Sequence, residues 1–159
     1  MKPVLDPALA LRRLQHELEH PPFHAFLRPE AIAADAQCVE IRLPYRAEFR
    51  RDASTADVHG GVIAALIDLA AHATVAVQIG RMAPTIDLRI DFLRPAPGVD
   101  LIARARTLSV GQSVARADVE IYATGMAKPV AVGRGAFSTR APSTGGEPIN
   151  EEDSRKRFP

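Results

Sequence analysis

A single carboxylate, Asp68, sits inside an apolar run nine residues after His59, the first residue of the triplet His59-Gly60-Gly61. From Val62 to Ile79 the only ionisable side chains are Asp68 and His72. Ala and Leu favour a helix over this stretch, and its length exceeds the ~4–8 residues usual for a strand. Gly80 is a plausible C-cap and Pro84 blocks continuation. A helix that is apolar all round is normally buried, and a carboxylate within it is costly unless paired, hydrogen-bonded or protonated. Asp68 is therefore either held by a local partner or kept for chemistry, as a nucleophile or as a general base that activates water. At the helix start, Gly60 and Gly61 leave backbone N–H groups uncovered. These first-turn donors have no intrahelical partner and carry the positive end of the helix dipole, so they suit a developing negative charge. The plain alternative is a sterically required tight turn. His72, four residues after Asp68, falls on the same helix face. It reads either as a holder of Asp68 or as a packed histidine.

The elements that position these residues follow from the pattern around them. Pro7 to His20 reads as a short amphipathic helix with Leu9, Leu11, Leu14 and Leu18 near helical spacing, stopped by Pro21-Pro22. Phe23 to Leu27 is expected to pack as a loop over the core. Cys38 to Leu43 alternates, with Val39, Ile41 and Leu43 on one face, and predicts a strand in which Cys38 belongs to the core. After the long helix, Ile86, Leu88, Ile90 and Phe92 alternate with Thr85, Asp87, Arg89 and Asp91 until Pro95 and Pro97. Three further strands are expected at about Asp100–Leu108, Ser113–Tyr122 and Lys128–Thr139, with turns at Val110-Gly111-Gln112 and Thr124-Gly125-Met126-Ala127. The tail from Ala141, rich in Pro, Gly and charge, is expected to be disordered. The order predicts an α+β fold: one long central helix covered by an antiparallel meander. One sheet covers only one side of that helix, so self-association is the simplest supply of a second surface.

Size and composition narrow the class. The chain has 159 residues, enough for one domain with its own core. Lys and Arg number 20 against 19 Asp and Glu, a net charge of +1, which offers no field for nucleic acid or an anionic membrane. The absence of Trp and the low aromatic content also disfavour a stacking platform for single strands. Cys38 is the sole cysteine, so neither an intramolecular disulfide nor a cysteine metal cluster is expected. No metal is expected. The helix is long enough to cross a membrane, but Asp68 and His72 fall mid-span and no second apolar span exists. A soluble, cytoplasmic protein is expected, since the N-terminus lacks a signal-peptide core.

His59-Gly60-Gly61, followed after four residues by Leu66-Ile67-Asp68, resembles the signature of hot-dog-fold thioesterases of the phenylacetate-pathway type. Thr85-Ile86-Asp87-Leu88-Arg89-Ile90-Asp91-Phe92-Leu93-Arg94-Pro95 resembles the strand after the helix in that family. The resemblance covers roughly Gln37 to Thr139. It implies a long helix wrapped by an antiparallel sheet, with domain limits of 1–30 for an N-terminal helix and loop, 31–140 for the hot-dog domain and 141–159 for the tail. It also implies homodimers joined edge to edge, often paired into homotetramers. The site would lie between subunits, the glycine from one chain and the carboxylate from the other. Acyl-CoA would be hydrolysed with no cofactor beyond the CoA of the substrate.

Within that frame Asp68 acts as nucleophile or base, and Gly60 or Gly61 polarises the thioester carbonyl. His59 organises the turn, or is a plain N-terminal cap. Thr85 matches a family hydroxyl that holds the carboxylate or the attacking water. Val62, Ile63 and Leu66, with His72, would line the acyl side. Arg94 and Arg134, with Arg81, Arg104 and Arg106 as further candidates, would meet the CoA phosphates unless they are simply solvated. Many relatives carry Asn six residues before the motif His, where this chain has Ala53. Aromatic and medium-chain acyl groups both fit this reading, and family analogy slightly favours the aromatic. The rival readings are a hot-dog enoyl-CoA hydratase or dehydratase and a non-catalytic acyl-CoA binder.

Overall fold

The run from Gly60 to Ile79 forms one unbroken helix, and the rest of the chain is arranged to bury it. A computed structural model describes residues 5–140. In chain order the elements are α1 (Pro7–Glu19), α2 (Pro22–Leu27), β1 (Glu30–Ala34), β2 (Cys38–Leu43), a 3-10 turn (Ala47–Phe49), α3 (Gly60–Ile79), β3 (Thr85–Phe92), β4 (Leu101–Val110), β5 (Val114–Ala123) and β6 (Ala131–Ser138). The tail expected from Ala141 lies outside the described residues. By length and composition α3 is apolar enough to cross a bilayer. Here it is packed instead, with Leu66, Ile67, Ala70, Ala71, Val75 and Val77 fully buried. Gly80 ends it in a left-handed conformation (φ 73°), its N–H bonded to the Ala76 carbonyl.

The six strands form one antiparallel sheet in the order β1-β2-β4-β5-β6-β3. The meander therefore holds for β4, β5 and β6 only. β3, expected beside β4, crosses to the far edge and pairs with β6, from Thr85 opposite Phe137 to Phe92 opposite Ala131. The link from Leu93 to Asp100 contains Pro95, Pro97 and Gly98, too long and too stiff for a tight hairpin. Close approach of α3 to the sheet depends on Gly133 in β6. A Cβ there would stand 2.3 Å from Ile67 Cγ2, so any side chain would push the helix away.

Three other expectations change. Phe23–Leu27 is helical rather than a loop, because Pro22 pre-sets the first helical position while Pro21 ends α1. β1 carries no alternation and was not foreseen. Cys38 is exposed rather than core: Val39, Ile41 and Leu43 point inward, so their neighbours point out.

The second cover for α3 comes in part from the chain itself. α1 is capped by Asp6, whose carboxylate accepts the Leu9 N–H at 3.0 Å, and it starts on Pro7. Its buried face is Ala10, Leu14 and Leu18, at four-residue spacing, packed on α3 and β1. Arg13 Nη1 also donates to the Val77 carbonyl at 2.8 Å, satisfying the last turn of α3. On β3, Leu88 and Ile90 pack partly against the core, while Ile86 and Phe92 stay open, 57% and 56% exposed.

If α1 is part of this core, Leu14→Ala, at a site with 0% exposure, costs about 2–5 kcal/mol in urea unfolding, the range for a cavity in a packed core. A cost below about 1 kcal/mol would place α1 outside the cooperative unit.

Candidate active site

The start of α3 is built by His59. In extended conformation (φ −62°, ψ 134°) it caps the helix, its Nδ1 accepting the Gly61 N–H at 2.8 Å. Its own N–H donates to the Phe49 carbonyl at 2.7 Å, and its carbonyl accepts from Val62 and Ile63. Gly61 is thus already engaged. The Gly60 N–H has no partner among the described residues and stands at the positive end of a twenty-residue helix. The Phe92 ring lies beside it, 3.5 Å from where a Gly60 Cβ would be. Sequence reasoning placed Phe92 only on an apolar strand face.

Asp68 lies two turns further along, partly buried, between the fully buried Ile67 and the buried Leu69. Its Oδ1 accepts the Thr85 hydroxyl at 2.9 Å. Thr85 opens β3, so the strand that crosses to β6 is also what brings this hydroxyl to the helix. The bond orients the carboxylate and leaves Oδ2 without a bonded partner among the described residues.

The other candidates divide. His72 is half-buried, and its Nε2 accepts the Ala83 N–H at 3.3 Å. Val62 is half-buried at the helix start, while Ile63 and Leu66 point into the core. Arg94 donates to the Pro129 carbonyl and Arg81 to the Thr139 carbonyl. Arg134 is held bidentately by Asp118, at 2.6 and 2.8 Å, and Arg104 by Glu40 at 3.0 Å. The Arg134 guanidinium holds the Asp118 carboxyl below its ordinary range. Arg134, Arg104 and Arg106 alternate with inward residues and so sit on the sheet face turned away from α3. They line a groove of about 920 Å³ that does not include Asp68. Ala53 sits in a loop shaped by Asp52, whose Oδ1 accepts from the Ser54 N–H, the Ser54 hydroxyl and the Thr55 N–H. Asp52 is thus committed to its own turn. Among the described residues no three His, Cys, Asp or Glu side chains come together to hold a metal ion.

The layout is a carboxylate on the wrapped helix of a six-stranded antiparallel sheet and an unpaired amide at that helix's start, the hot-dog arrangement. Comparison with known proteins agrees. The family model described as "Thioesterase superfamily" matches residues 56–130. The Halobacterium salinarum protein VNG_1336C is 38% identical over 115 residues, covering 66% of this chain and 75% of its own. The medium/long-chain acyl-CoA thioesterase YigI of Escherichia coli K12 is 30% identical over 119 residues, covering 65% and 76%. The E. coli PaaI protein of the phenylacetic acid degradation operon superposes with a TM-score of 0.75 at 24% identity, over 85% of this chain and 96% of that one, which speaks to the fold. The chain belongs to the thioesterase superfamily and has the hot-dog fold. It is a thioester hydrolase.

The cap makes its own prediction. His59→Ala removes the acceptor for the Gly61 N–H and costs about 1 kcal/mol in chemical denaturation, as for other N-caps. His59→Asn, which offers an oxygen at the same place, recovers most of it. Equal stabilities for all three proteins would show that the imidazole does not cap α3.

Proposed function

We propose that the substrate is an acyl-CoA, and that Asp68 of one chain and the Gly60 N–H of a second copy act on the same thioester. The carrying observation is the separation of the two groups on one helix. Eight residues at about 1.5 Å each place the Gly60 amide and Asp68 roughly 12 Å apart. A side chain leaning toward the N-terminus closes only a few ångströms of that. A reacting carbonyl needs its donor and its attacking group both within about 3–3.5 Å. One chain therefore cannot supply both. The β3 edge offers the means of bringing a second copy in: its outer backbone edge is free of strand partners among the described residues, and Ile86 and Phe92 are exposed beside it.

Two balanced routes use these groups. As base, Asp68 takes a proton from water as the oxygen adds to the carbonyl. The oxyanion rests on the Gly60 N–H, and collapse expels CoA thiolate, which takes the proton back. As nucleophile, Asp68 displaces CoA to form a mixed anhydride that water opens. Thr85 orients the carboxylate in both. Single turnover in H₂¹⁸O tests the second route: label in Asp68 itself marks water opening the anhydride at the Asp68 carbonyl, whereas label in the product acid is common to both routes. The similarity to YigI favours a medium- or long-chain aliphatic acyl group, because at 24% identity PaaI supports the fold alone.

Thiol release from octanoyl-, palmitoyl-, benzoyl- and phenylacetyl-CoA is expected to be fastest with the aliphatic members. Asp68→Asn lowers kcat by about 100-fold or more, in keeping with loss of a general base or nucleophile. Wild-type turnover in that variant would exclude Asp68.

A mixing experiment tests the shared site. Asp68→Asn and Gly60→Val proteins, each inactive alone, are unfolded together and refolded. A mixed dimer contains one site with both native groups, so activity returns to as much as half per mixed dimer. No recovery, or a monomeric mass by light scattering at micromolar concentration, would overturn the two-chain site.

A further inference from the structure

Behind the Asp68–Thr85 pair lies a second link between the same two elements. Four residues along α3 from Asp68, His72 Nε2 accepts the Ala83 N–H at 3.3 Å. Two residues before Thr85, Ala83 is itself buried. The two links run side by side, Asp68 to Thr85 and His72 to Ala83, one helical turn apart. Together they fix the position and the direction in which the chain enters β3. From its other side this segment is held by the Ser138 N–H, which donates to the Pro84 carbonyl at 2.8 Å.

The His72 ring has a defined state in this setting. Because Nε2 accepts, the ring proton resides on Nδ1, which faces Glu17 Oε2 of α1 at 4.0 Å. Phe137 of β6 packs against the ring, with centroids 6.4 Å apart. The charged and titratable groups that face it are Glu17 from α1, Asp68 from α3 and His24 from α2. Burial pushes the imidazole below its ordinary range; the anions Glu17 and Asp68 oppose that, and His24 adds to it. The ring is thus neutral near pH 7, as the Ala83 bond requires. Protonation would remove the acceptor and release the segment that delivers Thr85.

We propose that His72 is a positioning residue for the hydrolysis, holding Thr85 against Asp68 through the Ala83 N–H, and that Glu17 of the N-terminal helix sets the ring's orientation and its proton. The proposal rests on the reading of Asp68 as the reacting carboxylate. It ties α1, which lies outside the residues 56–130 matched by the family, to the chemistry.

Three variants, assayed with octanoyl-CoA beside Asp68→Asn, test this. His72→Phe keeps the packing and loses the acceptor, and kcat is expected to fall about ten-fold with little change in KM, the size of effect of a slightly misplaced group. His72→Gln keeps an acceptor oxygen that does not titrate. It recovers at least half of the loss, and the part of the acid limb of kcat due to the imidazole disappears. Glu17→Gln removes an anion that favours the imidazolium, so the His72 transition moves to lower pH. A readout independent of turnover is the Ala83 amide resonance, which follows the His72 titration in wild type and shifts with it in Glu17→Gln. Full kcat in His72→Phe, no recovery in His72→Gln, or an Ala83 amide indifferent to the His72 titration would each overturn the proposal while Asp68→Asn remains inactive. Turnover in Asp68→Asn would instead bring down the reading of Asp68, and the proposal with it.

Discussion

The structure depends on covering one helix. α3 is apolar on every side, and water must be kept from nearly all of it. β2, β4, β5 and β6 present Val39, Ile41, Ala103, Ala105, Val119, Ile121 and Phe137 to the core. α1 adds Leu14 and Leu18 from another side. Gly133 lets the helix settle close enough for these contacts to form. One seam is left incompletely closed, along β3, where the strand's own apolar residues are half-buried or exposed. Asp68 and Thr85 meet at that seam. A carboxylate deeper in the helix would face the full cost of desolvation; at the seam it keeps a partner and one oxygen to use.

Much of this was legible from residue pattern. The long helix, its glycine stop and five of the six strands follow from residue pattern. The outward direction of Cys38 was also readable, since Val39, Ile41 and Leu43 fix the inner face and the period of two places Cys38 on the other. The position of β3 was not. Four alternating segments in a row give no sign of which pair, and the choice is made by a stiff link and by packing on α3. β1, with mostly Ala, has no alternation to read. At the site, the family resemblance pointed to Thr85, and spacing alone could not. The His72–Ala83 link was out of reach, because its donor is a backbone amide that every sequence possesses.

The two faces of the sheet do different work. Toward α3 the residues are small or apolar. On the far face Arg104, Arg106 and Arg134 stand among Glu40, Asp118 and Glu120, opposite charges facing one another across neighbouring strands. Such exposed pairs contribute little stability each. Their effect is to keep a broad pleated surface hydrophilic, with its arginines engaged by their neighbours.

The pairing of β3 with β6 also bears on how the site comes into being. β4, β5 and β6 follow one another through short turns, so their ladders close small loops. Joining Thr85 to Phe137 closes a loop that encloses that whole meander, and loop-closure entropy disfavours it until the meander is in place. Thr85 reaches Asp68 only through this late pairing. A chain with its helix and hairpins formed but its edge strand still undocked would look largely native in secondary structure and have no oriented carboxylate. On the proposed role of Asp68, hydrolytic competence arrives only with this long-range pairing, and catalysis is then a stricter gauge of the finished molecule than helix content.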